Sequence, residues 1–136
     1  MAKIKRVDHI ALVVQDMDEA LSFWRDCLGM DMSDRMEIPD ENAEIGFIPV
    51  GDSEIELVRP TADKTGLAKY LAFKGPGMHH ICLEVDDIEG MLRRLREKGV
   101  RLIDEHPKES RDGTRYAFIH PKAAHGVLVE LYQKPG

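Results

Sequence analysis

Cysteine, aromatic residues and long apolar runs are all scarce in this chain, and each shortage excludes a class of protein. Two cysteines, Cys27 and Cys82, can build neither a disulfide framework nor a thiolate zinc site, which points to a reducing, cytoplasmic setting. No apolar run approaches the roughly 20 residues of a membrane span, and the basic N-terminus lacks the apolar core of a signal peptide. A membrane is therefore not an expected partner. Basic side chains number 19 against 25 acidic ones, for a net charge of −6. The longest basic cluster is Lys3-Ile4-Lys5-Arg6, too little for a reader of phosphate backbones, so nucleic acid is excluded as well. Although only 6% of residues are aromatic, 43% are hydrophobic. A chain of this length hides about two-thirds of its unfolded surface, enough for an ordinary core in one domain.

What the chain does have is an internal repeat. His9-Ile10-Ala11-Leu12-Val13-Val14-Gln15-Asp16 returns as His80-Ile81-Cys82-Leu83-Glu84-Val85-Asp86-Asp87, 71 residues later. At the same offset Ile45-Gly46-Phe47-Ile48 falls on Tyr116-Ala117-Phe118-Ile119, and at offset 74 Ile55-Glu56-Leu57 falls on Val129-Glu130-Leu131. Each copy opens with alternating apolar residues, the period of a half-buried strand, over 6–14 and 79–85. An amphipathic helix follows, with Ala20, Leu21, Trp24, Cys27 and Leu28 on one stripe and Met91, Leu92 and Leu95 on its counterpart. Asp16 with Glu19 reads as an N-terminal cap, and Gly29 and Gly99 as stops. Cys27 is accordingly expected in the core. Three more strands are expected per copy, near 32–38, 44–49 and 54–59, then 101–104, 115–120 and 127–133. The expected fold is α+β, one domain over 1–136 of two βαβββ modules, about 1–60 and 78–136. A short helix around Leu67–Ala72 joins them.

Strand parity sets which residues share a face. With Ile10 and Leu12 against the helix, His9, Ala11 and Val13 take the other face, and His80 does likewise. Ile55 with Leu57 and Val129 with Leu131 leave Glu56 and Glu130 on the opposite side. Hydrophobic patterning explains the aliphatic positions but gives no reason for His and Glu to recur. If the modules pair about a pseudo-twofold axis, a mixed curved sheet brings His9, Glu56, His80 and Glu130 together around a cleft. Buried carboxylates cost several kcal/mol each without a compensating charge. Two imidazoles with two carboxylates suit a divalent first-row ion such as Co2+, Ni2+, Mn2+, Fe2+ or Zn2+. Reading Ile45 and Phe47 as the core face turns Glu44 toward the same cleft, opposite its repeat partner Arg115.

These residues resemble the vicinal oxygen chelate superfamily, and within it the methylmalonyl-CoA epimerase family. The likeness is carried by the ordered series Val7-Asp8-His9-Ile10-Ala11, Gly51-Asp52 with Glu54-Ile55-Glu56-Leu57, Gly77-Met78-His79-His80, Val85-Asp86-Asp87-Ile88-Glu89, His120-Pro121-Lys122 and Gly126-Val127-Leu128-Val129-Glu130-Leu131. The resemblance implies an isomerase that interconverts the two epimers of an acyl-CoA by removing and returning an α-proton. It implies metal residues His9, Glu56, His80 and Glu130, catalytic carboxylates Glu44 and Glu130, and Arg115 and Lys122 as contacts to the substrate's anionic groups. A divalent cation, Co2+ first, and a homodimer are further implications. Two other readings share the pattern: a glyoxalase I-type lyase acting on a glutathione hemithioacetal, and a non-catalytic small-molecule binding protein.

Overall fold

All of residues 1–136 are described in a computed structural model. The chain forms two compact units: Met1–His9 with His80–Gly136, and Ile10–His79. The element order is β1 (Ile4–Val13), α1 (Met17–Leu21), β2 (Asp34–Ile38), β3 (Ala43–Val50), β4 (Ser53–Pro60), α2 (Gly66–Lys74), β5 (Gly77–Val85), α3 (Ile88–Glu97), β6 (Lys108–Glu109), β7 (Arg115–Ile119) and β8 (Val129–Gln133). Eight strands and three α-helices in two βαβββ runs make the expected α+β plan.

In the unit of residues 10–79 the strands neighbour one another in the order β2-β3-β4-β1, with β2/β3 and β3/β4 antiparallel. Leu12 and Val14 pack with Met17, Leu21, Ile48 and Leu57 in one apolar cluster. Ala11, Ala43, Ile45 and Val58 form a second on the other face, with Phe47 and Leu67 against it. In the other unit the order is β1-β5-β8-β7-β6, β5/β8 parallel and β7/β8 antiparallel. Its core joins Val85, Ile88, Met91, Leu92, Ala117 and Leu131.

Helix ends follow their chemistry. Asp16 accepts from the Glu19 amide at 3.1 Å and Asp87 from the Gly90 amide at 3.0 Å, satisfying donors that the helix itself leaves open. Gly29 and Gly99, with φ of 75° and 73°, let the chain turn away where a side chain would strain.

Three expectations are corrected. The first helix keeps α geometry only to Leu21 and continues as a π-helix over Ser22–Cys27, its Leu28 amide reaching the Phe23 carbonyl. The wider turn breaks the 3.6-residue stripe, so Cys27 and Leu28 are exposed instead of buried. No strand runs over 101–104: Leu102 makes an isolated bridge with Ile119, and Lys108–Glu109 supplies the edge strand instead. The third correction concerns β3. Gly46 lies against Met17, whose sulfur would sit 3.1 Å from an added Cβ, and Ile48 joins the α1 cluster. Glu44, Gly46 and Ile48 therefore face α1, and Ile45 and Phe47 face the Ala11 side, the reverse of the assumed parity.

Leu92 is fully buried in the core of its unit. Leu92→Ala is expected to cost about 2–5 kcal/mol, read as a lower denaturation midpoint with unchanged denaturant dependence.

Candidate metal centre

β1, β5 and β8 are neighbours, and each carries one residue of a tight cluster. His9 Nε2 lies 3.3 Å from His80 Nε2. Glu130 Oε1 is 3.0 Å from His80 Nε2 and 3.5 Å from His9 Nε2. His9 and Glu130 are buried, and His80 is half-buried. Strand alternation explains the convergence: His80 and Cys82 share a face of β5, Cys82 lies opposite Glu130 in the parallel ladder, and rigid strands hold all three positions. Aromatic edges complete the surroundings, with Tyr132 beside His9 and Phe118 beside His80.

The electrostatics describe a place made for positive charge. Burial pushes the Glu130 carboxyl up, but hydrogen bonds from His80 and His9 outweigh it and hold it down at about 2. Glu130 is thus an anion at neutral pH. Burial pushes the Cys82 thiol up to about 12, so it stays neutral and serves as packing. Two imidazole nitrogens 3.3 Å apart, both beside one carboxylate oxygen, are an awkward arrangement for protons and a good one for a shared cation. The donor set of His9, His80 and Glu130 fits a divalent ion, with positions left for other ligands.

Of the other anticipated residues, Glu44 and Glu56 belong to the unit of residues 10–79, and Arg115 and Lys122 to the unit that holds the cluster. Glu56 is on β4, paired in register with Phe47 and half-buried, on the side of that strand which carries Val58 and opposite Ile55 and Leu57. Glu44 is held by Arg35 at 3.1 Å and Arg59 at 3.1 Å, and Arg35 also binds Asp18 at 2.9 Å. Hydrogen bonds from Arg35, then Arg59, keep the Glu44 carboxyl below its usual range against the effect of burial. Its position on the α1 face within this ion network is that of a tie between β2, β3 and β4. Arg115, at the start of β7, pairs with Glu89 at 3.2 Å, and Lys122 is exposed on a 3-10 turn, Pro121–Ala124. His79 packs edge-on to Tyr70 at 4.7 Å. One neighbour was not anticipated: Asp8 Oδ2 lies 2.8 Å from His9 Nδ1.

The repeated βαβββ plan carries a His-His-Glu cluster that could hold a metal ion. Residues 8–118 match the glyoxalase/bleomycin resistance protein/dioxygenase superfamily, and the chain belongs to it. It is 36% identical over 132 residues to a mitochondrial methylmalonyl-CoA epimerase of Mus musculus, covering 96% of this chain and 74% of that protein. It is 37% identical over 133 residues to an ethylmalonyl-CoA/methylmalonyl-CoA epimerase of Cereibacter sphaeroides, covering 96% and 98%. A Streptomyces coelicolor methylmalonyl-CoA epimerase variant solved with 2-nitronate-propionyl-CoA superposes with a TM-score of 0.84 at 29% identity, covering 98% of this chain and all of that one.

The Glu130 geometry carries a pH dependence in the metal-free protein. A carboxyl with a folded value of about 2 against an ordinary 4.5 contributes stability that is complete above pH 4.5 and lost as pH falls toward 2. Acid unfolding of Glu130→Gln is expected to lack this component. An unchanged acid limb would remove the His–Glu hydrogen bonds from the account.

Proposed function

We propose that the protein is a metal-dependent epimerase that interconverts (2R)- and (2S)-methylmalonyl-CoA. The observation that carries the reading is the convergence of His9 Nε2, His80 Nε2 and Glu130 Oε1 in one place. Similarity to epimerases over nearly the whole chain supports the substrate class. His9, His80 and Glu130 hold the cation in this reading, and Glu56, the repeat equivalent of Glu130, is the fourth ligand that the family resemblance implies. Co2+ is the favoured ion, with Ni2+, Mn2+ and Zn2+ as substitutes for a mixed nitrogen and oxygen donor set.

When bound, the cation supplies Lewis-acid polarisation of the thioester and carboxylate oxygens. The α-carbon between those groups then gives up its proton, and the electron pair moves onto the thioester oxygen. Glu130 is the proposed base that takes that proton on one face of the substrate. Its protonated form returns the proton in the reverse direction. Inversion requires delivery of a proton to the opposite face of the substrate by a second group. Arg115 and Lys122 are proposed contacts for the substrate carboxylate and the CoA phosphates.

The homodimer and the cytoplasmic setting belong to the same proposal. Exposed apolar side chains such as Phe73, Phe23 and Leu28 offer surface for a second copy, and an exposed free thiol at Cys27 suits a reducing compartment. No helix is long and apolar enough to cross a membrane.

Deuterium uptake at the α-carbon of each pure methylmalonyl-CoA epimer, followed with inversion, tests the proposal. Cation-loaded protein is expected to catalyse both, chelation to abolish both, and His80→Ala to lose most bound metal. Absence of exchange together with turnover of a glutathione hemithioacetal would replace the epimerase by a glyoxalase I-type lyase. Glu44→Gln is expected to lower thermal stability and leave the exchange rate close to the parent's. A collapse of exchange with stability and metal content intact would make Glu44 a base after all.

A further inference from the structure

We propose that Asp8 is a positioning residue for the cation site: it fixes which nitrogen of His9 carries the proton and thereby aims the lone pair of Nε2 at the place where His80 and Glu130 converge. The contact is short and buried, 2.8 Å between Asp8 Oδ2 and His9 Nδ1. An ionised carboxylate only accepts, so the proton of a neutral imidazole sits on Nδ1. Nε2, 3.3 Å from His80 Nε2, is then left as a donor to a cation.

Asp8 is itself fixed. Arg6 Nη2 binds its other oxygen at 2.8 Å, and Lys134 Nζ lies 3.5 Å from that oxygen. Arg6 Nε also binds Glu84 at 2.7 Å, and Lys5 and Lys134 approach Glu84 at 3.5 and 3.8 Å. Two buried carboxylates, Asp8 and Glu84, are thus satisfied by three cations. The pattern follows the site strand for strand. β1 supplies His9 together with Arg6 and Asp8. β5 supplies His80 and, four residues on, Glu84. The chain through β8 supplies Glu130 and, four residues on, Lys134. This ionic layer clamps the three strands that carry the three ligands, and Asp8 is the member that reaches through to an imidazole. The repeat does not copy it, because the residue equivalent to Asp8 is His79, which packs against Tyr70.

The inference rests on His9 being a ligand. Outer partners of metal-bound histidines are generally worth about 10–100-fold in affinity. Calorimetric titration with Zn2+ is expected to show a 10–100-fold weaker Kd for Asp8→Ala, and a smaller loss for Asp8→Asn, which keeps an acceptor. Glu84→Gln, in the same ionic layer but not touching His9, should lower thermal stability and leave the Zn2+ affinity unchanged. Equal losses of affinity in Asp8→Ala and Glu84→Gln would reduce Asp8 to a structural ion and overturn the proposal. Imidazole 15N resonances of the parent protein, metal-free and with Zn2+, are expected to show His9 protonated at Nδ1, whether or not the variants fold. A His9 with no proton on Nδ1 in the metal-free protein overturns the proposal independently, and a parent protein that binds no Zn2+ but keeps the proton on Nδ1 fails the metal reading instead.

Discussion

Glu130 is a buried carboxylate, and the need to compensate its charge organises the strands around it. A bare carboxylate at such depth costs several kcal/mol. Two imidazoles from neighbouring strands meet that need in the protein alone, and a divalent cation meets it better. Backbone ladders supply the precision. A residue on β5 and one on β8 are held by the same parallel register that pairs Cys82 with Glu130, so the distance from His80 to Glu130 is set by hydrogen bonding instead of by flexible loops.

Buried charge elsewhere in each unit is compensated where it sits. Asp8 and Glu84 are neutralised by Lys5, Arg6 and Lys134 in one layer. Glu44 is neutralised by Arg35 and Arg59 in the other unit. Every buried side-chain nitrogen and oxygen has a hydrogen-bond partner. Polar groups in the interior are tolerable only when satisfied, and here their satisfaction also ties strands together.

Much of this was legible in the residues. The 71-residue offset relates His9 to His80 and the 74-residue offset relates Glu56 to Glu130, and side-chain alternation, clean among the surrounding aliphatic residues, puts the histidines and Glu130 on the face where they cluster. Asp16, Asp87, Gly29 and Gly99 marked helix ends through local chemistry. β3 was misread for a definite reason: Ile45-Gly46-Phe47-Ile48 offers no clean alternation, and its decisive member is a glycine whose missing side chain makes room for Met17. The π-helical turn at Ser22–Cys27 has no composition signal and shifted Cys27 out of the core. Asp8 gives no such signal, because neighbours on a strand are expected on opposite faces, whereas its side chain and that of His9 meet.

X-ray absorption spectroscopy of the Co2+-loaded protein tests the central claim most directly. Two imidazoles from His9 and His80 among oxygen donors should give the outer-shell scattering of two histidines, reduced to one in His80→Ala. A spectrum with no histidine scattering, or one unchanged by that substitution, would contradict the assignment of this cluster as the metal centre.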